Sequence, residues 1–496
     1  MLVCVLFAFV LPCETFGVAE NDITVLIDGE VIAFDVSPQN VNGRILVPLR
    51  AIFEEMGAQI DYNDSTQTVT AVRGYTVVDL TIGLPSARIN RELVSLDQPG
   101  MIHKGRSLAP LRFVAEVFGG TVEWVEATNT AYITRPDLKQ EPLPSIITIG
   151  DRQYSTTRTD LILPRMNLRD IDIIPLQYMR NLKNLNLGSN QISDLTPIAG
   201  LTNLTRLDLY HNVVSDLRPL SNLTNLVHID FNDNRISDLT PIAGLTNLTR
   251  LDLRHNQVSD LAPVAGMTSL IYLVTDYNTV SDLSPLAGHP SLSVISMHSN
   301  QISDLSPLAG LTGLRSLQLS DNLISDLTPL AGLINMSSLH LNDNPISDLS
   351  PLANLTDLGQ LTLRNNGLIS DLTPLARMTK LQDLYMSSSL VHDISPLSGL
   401  TAIRILQMNN FQISDLTPLA GMRSLRVLYA NGSHVEDLTL LSTFTGLEIL
   451  EFNNTPIRDI APLSRLNRLW RVELKDTQIT DWSPLAHVPD VAGRVF

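Results

Sequence analysis

The chain repeats itself every 22 residues. The motif [IV]-x-D-[LI]-x-P-L sets an aspartate at Asp172, Asp194, Asp216, Asp238, Asp260, Asp282, Asp304, Asp326, Asp348, Asp371, Asp393, Asp415, Asp437, Asp459 and Asp481. Each step is 22 residues except one of 23, where "NNGLISD" inserts a residue near Gly367. The segment "ISDLTPIAGLTNLTRLDL" occurs unchanged at 192–209 and 236–253, two units apart, as a recently duplicated pair would. At 496 residues the chain exceeds one ordinary compact domain, and a long repeat array accounts for most of it. Each repeat position has a physical task. "LTRLDL" alternates apolar and polar residues, the signature of a short half-buried strand. Leu204, Leu207 and Leu209 point inward, and Arg206 and Asp208 outward. An Asn follows, at 190, 212, 234, 256, 278, 300, 322 and 344, where its amide can serve turn backbone groups that lack sheet partners. "SDLTPL" then predicts a tight helical turn, with Asp capping free N–H groups and Pro where a missing N–H costs little.

The form "LxxLxLxxNxISDLxPLAGL" resembles the 22-residue leucine-rich repeats of bacterial internalin-type proteins, from about Leu161 to Leu485. The resemblance implies an α/β leucine-rich-repeat solenoid, right-handed, with parallel strands on a concave face and short helical turns on the convex side. One strand per unit at ~4.8 Å gives a ladder of roughly 70 Å. Toward the C-terminus the Asn column gives way to Ser389, Phe411, Ser433, Thr455 and Thr477, with Asn366 displaced by the insertion. The C-terminal third is therefore expected to be softer. The fifteen capping aspartates also explain the charge: without them the net −17 would be −2. The acidity is structural, and it disfavours nucleic acid as a partner.

Residues 22–134 hold a second duplication. "GRILVPLRAIFEEMGAQIDYNDSTQTVTA" from Gly43 aligns without a gap with "GRSLAPLRFVAEVFGGTVEWVEATNTAYI" from Gly105. In each copy Pro starts a helix with apolar residues at i, i+3, i+4 and i+7, and Gly57 or Gly119 stops it. These residues are Leu49, Ile52, Phe53 and Met56, then Leu111, Val114, Ala115 and Phe118. Two strands follow each helix, and "LIDGEVI" ahead of them predicts a hairpin. "LVPLRAIFEEMGAQIDYN" and "LAPLRFVAEVFGGTVEW" resemble the N-terminal, or stalk, domain of copper amine oxidases, which implies a small α+β domain. That family's copper and quinone belong to a separate catalytic domain, whose His-x-His pair and Asn-Tyr context are missing here. His103 is the only histidine in the match. Residues 135–146 read as a linker and 147–165 as a hairpin capping a solenoid at 166–490.

The opening "MLVCVLFAFVLPCETFGVAEND" carries an apolar run too short to span a bilayer, then a small-x-small site, and reads as a signal peptide over 1–19. Its removal takes both cysteines, Cys4 and Cys13, leaving a secreted chain with no integral membrane segment and no disulfide. No G-x-S-x-G, P-loop or HExxH motif is present. The expectation is a protein that is not an enzyme and uses no cofactor or metal. Asp321 and Asp343, in one column of adjacent units, are the strongest pair for calcium, but other oxygen ligands are lacking.

Four outward positions in each of fourteen regular units hold five of the ten histidines and five of the ten tyrosines. The expected ligand-binding set on the concave face is Tyr210, His211, His228, Arg254, His255, Tyr272, Tyr277, His298, His340, Tyr385 and Tyr429. Rigid tyrosines among charged neighbours suit a binding surface. Within the duplicated units Tyr210 of one copy is Arg254 of the other, so the scaffold is copied while its outer residues change. The expectation is a secreted or cell-surface adhesion protein with a protein partner, or else a glycan. The alternative is a wall- or glycan-associated structural protein in which the stalk domain makes the contact.

Overall fold

The structure is a computed structural model and describes residues 23–74, 76–90, 92–135, 144–388 and 390–493. The proposed signal peptide, most of the linker and Ser389 lie outside the described residues. The chain divides into two compact units, one running to Thr156 and taking in Ile171–Tyr178, the other comprising Thr157–Asp170 and the chain from Met179 on.

In the first unit the duplicated segments meet through their proline strands. Arg44–Pro48 and Arg106–Pro110 pair antiparallel, Leu46 opposite Pro110 and Pro48 opposite Leu108. Each runs straight into its helix, Leu49–Glu55 or Leu111–Glu116, which Gly57 (φ 78°) and Gly119 (φ 83°) follow in the left-handed region. All eight apolar helix-face residues are buried, and Phe53 meets Phe118 edge-on at 5.3 Å between ring centres. The Asp28–Gly29 hairpin forms with both residues at positive φ, as a two-residue turn of the twisted type needs. After the helices the copies diverge. Gln59–Asn63 and Thr68–Arg73 enter a five-stranded antiparallel sheet. Thr121–Val125 and Thr130–Thr134 instead accept Thr24–Ile27 as a parallel neighbour. Ile146–Ile149 and Arg152–Ser155 form the expected hairpin as a separate two-stranded sheet.

The second unit is a leucine-rich-repeat solenoid built on one sixteen-stranded parallel sheet. It starts at Asp160–Ile162, inside the segment read as a cap, and ends at Asp490–Ala492. Strands such as Arg206–Asp208 alternate with 3-10 turns such as Thr196–Ile198. Leu204, Leu207, Leu209, Leu217, Leu220 and Leu223 are all at most 1% exposed, and each unit repeats them. A fully buried leucine contributes roughly 1.5–3 kcal/mol, and in a solenoid that burial depends on the neighbouring unit. Asp208 corrects the simple alternation. It is only 6% exposed, covered by Arg206, whose Nε donates to both carboxylate oxygens at 3.2 and 3.0 Å.

The Asn column stitches units together. Nδ2 of Asn234 donates to Phe231 O in its own unit at 3.0 Å and to Leu209 O in the preceding one at 2.9 Å. Its Oδ1 accepts the Val214 N–H, also in the preceding unit, at 3.0 Å. Asn366 is not displaced: it is fully buried and bonds Leu341 O at 2.9 Å, because the extra residue falls after it. Beyond it the column does lose its reach. Thr455 and Thr477 donate only to Phe452 O and Leu474 O of their own units, and Phe411 is simply buried. Other cross-unit bonds persist in a second row two residues earlier, a position that already serves the Arg364 N–H through Asn342 Oδ1 at 2.8 Å. Asn409 Oδ1 accepts the Asn431 N–H, Asn431 Oδ1 the Asn453 N–H and Asn453 Oδ1 the Lys475 N–H, at 3.1, 2.8 and 2.8 Å. This shifted row bonds other N–H groups than the first row does, so a softer C-terminal third remains the expectation.

The repeat aspartates cap the turns. Asp194 Oδ1 accepts the Thr196 N–H at 2.8 Å, and the same bond recurs down to Asp481 and Ser483 at 2.9 Å. These bonds hold the carboxyls of Asp238, Asp304, Asp326, Asp371, Asp415 and Asp437 below the ordinary value of 3.8, the side-chain bond to the following Thr or Ser first and its backbone N–H next. A depressed carboxyl stabilises the fold above its unfolded value, and that stability is lost as pH falls through the folded one. Burial lowers His289, at 5% exposure in a leucine position, and the half-buried His340 below 6.5. A lowered imidazole likewise stabilises the fold above its unfolded value. The melting temperature should therefore fall in two windows, a slight drop below about pH 6.5 and a steep one below about pH 3.8. Calorimetric scans from pH 8 to pH 2.5 check this (about that range, as acid titrations require). A flat profile down to the acid end would mean that the caps contribute nothing.

Candidate functional site

Parallel register puts residues 22 apart side by side on the strand face. Arg206, His228, Arg250 and Tyr272 form one row, and Asp208, Asp230 and Asp252 the next. The carboxylate row is held by arginines. Arg254 forks onto Asp252 with Nε–Oδ1 2.9 Å and Nη2–Oδ2 2.7 Å. Burial raises the Asp230 carboxyl above its usual range, and the neighbouring Asp252 and Asp208 add to this against the Asn232 backbone bond. Sequence reasoning named Arg254 but missed the three aspartates, although their 22-residue spacing was visible.

The next units carry an aromatic centre. His255 and Tyr277 stack at 4.3 Å, nearly parallel at 9°. Tyr277 meets His298 edge-on at 5.0 Å, and its hydroxyl lies 3.1 Å from His298 Nε2. His298 Nδ1 lies 2.9 Å from Ser320 O, so it carries the proton there and leaves Nε2 to accept from Tyr277. His211, His255 and Tyr277 occupy the residue before the ladder Asn, with φ of 51°, 50° and 56°. Non-glycine residues rarely adopt this left-handed conformation; the ladder bonds on either side impose it. Tyr272 and Tyr277 remain 41% and 46% exposed, with the Arg250 guanidinium 5.8 Å from the Tyr272 ring.

The other expected residues are dispersed. The Tyr210 ring lies on Gly188, where an added Cβ would come within 2.3 Å of it, so Tyr210 is packed and only partly open. His211 pairs with Asp233. His228 is exposed in its strand. His340 is half-buried, with Nε2 2.9 Å from Ser338 Oγ. Arg364 covers Tyr385 at 4.5 Å, and burial followed by the charge of Glu451 raises the half-buried Tyr429 hydroxyl. Asp321 and Asp343 turn to different donors, Ser299 Oγ at 2.6 Å and Asn365 Nδ2 at 2.8 Å. Among the described residues no three His, Cys, Asp or Glu side chains gather as metal ligands would.

Residues 26–133 match the family model of the copper amine oxidase N-terminal domain. The model of paired leucine-rich repeats matches 202–244, 246–288, 290–332 and 334–377. An internalin from Listeria monocytogenes of known structure is 30% identical, with 70% of this chain and 90% of that chain covered and a TM-score of 0.45. The chain belongs to the internalin-type leucine-rich-repeat proteins. The functional domain of InlJ from Listeria monocytogenes, which includes a cysteine ladder, shares the solenoid fold with this internalin-type chain. It is 21% identical over 65% of this chain and 75% of that one, with a TM-score of 0.53. A leucine-rich-repeat protein of Leptospira interrogans shares the fold at 20% identity over 69% and 95%, with a TM-score of 0.61. No curated protein is similar enough in sequence to count as a match. Among the described residues no helix of this internalin-type chain is long and apolar enough to cross a membrane.

Proposed function

We propose that the protein is secreted or displayed at the cell surface and binds a protein partner on the strand face of its solenoid, without catalysis. The observation that carries this reading is the His255–Tyr277–His298 cluster. It sets exposed aromatic area on the turns that leave the strands, beside the Arg206–His228–Arg250–Tyr272 row of the sheet. Rigid aromatic anchors ringed by charge suit protein recognition, because they lose little freedom on binding. The short apolar opening with its small-x-small site supports export, and an internalin-type scaffold is consistent with both.

A photo-crosslinking residue tests the placement. Installed at Ser316, in the strand row beyond Tyr272 and Val294, it should trap a surface protein on intact cells. At Ser306, in a 3-10 turn, it should trap none. Adducts from Ser306 alone would overturn the reading.

A further inference from the structure

The solenoid carries a cationic groove that the strand-face reading does not use. Arg404, Arg423, Arg426, Arg465 and Arg468 line a depression of about 710 Å³ with Gly446 at its middle. They stand on the edge where the 3-10 turns lead into the strands, the opposite end of the strands from the Asn ladder. In a chain of net charge −17 such a concentration runs against the overall composition. Arg426 pairs with Glu448, whereas Arg423, Arg465 and Arg468 have no carboxylate in ion-pair contact among the described residues.

The repeat explains the shape. Other units place an asparagine in this turn, and Asn203, Asn225, Asn247 and Asn335 each donate Nδ2 to a carbonyl of the preceding unit at 2.8–3.0 Å. At that position the middle unit of the groove has Gly446, so nothing fills the space between the arginines of the flanking units. One row of the edge reads Arg404, Arg426, Glu448, Trp470, each backbone N–H bonded to the carbonyl of the residue before it in the row. Trp470 thus stands one unit beyond Glu448, two residues from Arg468, and is 47% exposed. Nearly half of the indole is open to solvent, beside the groove lining rather than within it, and it offers a flat face to a ring.

We propose that this groove binds an anionic polysaccharide, the arginines holding its carboxylate or sulfate groups and Trp470 stacking on a sugar ring. Guanidinium forks match planar or tetrahedral oxyanions in a way that scattered lysines do not. Four units at ~4.8 Å limit the cationic stretch to roughly 14 Å, a few sugar rings. A stretch this short holds only a short anionic segment, and the exposed indole beside it favours a ligand with apolar ring faces.

The test uses the full chain with oligogalacturonate, dextran sulfate, neutral maltodextrin and inorganic polyphosphate, followed by calorimetry and tryptophan fluorescence. The two anionic glycans should bind, more weakly at high salt, and maltodextrin should not. R423S/R468S should weaken binding by roughly tenfold or more, as loss of charge-assisted bonds does. W470A should weaken glycan binding and abolish the fluorescence change. G446N keeps every arginine and introduces the residue that Asn203, Asn225, Asn247 and Asn335 supply in more distant units, with no backbone strain, since an added Cβ meets only Leu425 O at 3.6 Å. It should fill the floor and weaken binding at an unchanged melting temperature, which keeps the claim testable if the arginine variant is unstable. Absence of binding to both anionic glycans would overturn the proposal. So would unchanged affinity in R423S/R468S and G446N, or polyphosphate binding more tightly than either glycan.

Discussion

Asn234→Ala should lower the stability of the solenoid by about 1–3 kcal/mol. The side chain is 8% exposed, and its loss strips the Val214 N–H in the preceding unit of its partner, while Leu209 O and Phe231 O each keep a second donor, Asn212 Nδ2 at 3.0 Å and Asn256 Nδ2 at 2.9 Å. Each buried backbone group left without a partner costs about 1–3 kcal/mol, and alanine is too small to let the turn close over the gap. Asn431→Ala, in the shifted row, should cost about half as much. Its Oδ1 serves one N–H of the following unit, at 2.8 Å, and its Nδ2 reaches only the Glu451 carboxylate at 3.3 Å. Thr477→Ala should cost less than 1 kcal/mol or so, since that hydroxyl bonds only Leu474 O at 2.8 Å in its own unit. Urea melts of the three variants against the parent rank them. If Asn431→Ala proved as mild as Thr477→Ala, the second row would contribute little to holding the units together.

These orderings show what a single sequence reveals. The leucines, caps and first asparagine row were legible because a 22-residue period puts equivalent residues in equivalent surroundings, so each column has one physical explanation. The two helices of the first unit were legible for the same reason, from their spacing and from Gly57 and Gly119. What escaped was whatever depends on partners distant in sequence. The parallel pairing of Thr24–Ile27 with Thr130–Ile133 joins the two ends of a domain, and no local pattern announces it. Asn409, Asn431 and Asn453 read as ordinary outward residues, because only the register shows that each reaches the next unit's N–H. The site follows the same rule. Tyr277, His255 and His298 were named from their column positions, but the stack depends on side-chain directions set by left-handed residues in successive turns. Tyr210 was assigned the same role, although its ring is committed to Gly188.

That difference decides which tyrosines to change. Tyr272→Ser with Tyr277→Ser should leave the melting temperature within a degree or two of the parent (about the effect expected of surface changes). Both rings stand outside the leucine core, 41% and 46% exposed. Binding to the partner trapped at the strand face should fall by about 4 kcal/mol, roughly a thousandfold in Kd, if each ring is an anchor of the usual ~2 kcal/mol. Tyr277 should account for more than half, because removing it also frees His255 from its stack and His298 Nε2 from its hydroxyl donor. The three side chains therefore act as one unit, and His255→Ala added to Tyr277→Ser should cost less than its effect alone. Tyr210→Ser serves as the contrast. It uncovers Gly188 and should lower the melting temperature while changing Kd little. Surface plasmon resonance with the parent and these variants separates the cases. Equal affinity of the Tyr272/Tyr277 variant and the parent would remove the strand face from recognition, since, among the described residues, these two are the large hydrophobic rings exposed beside the strands Arg250–Asp252 and Tyr272–Val274.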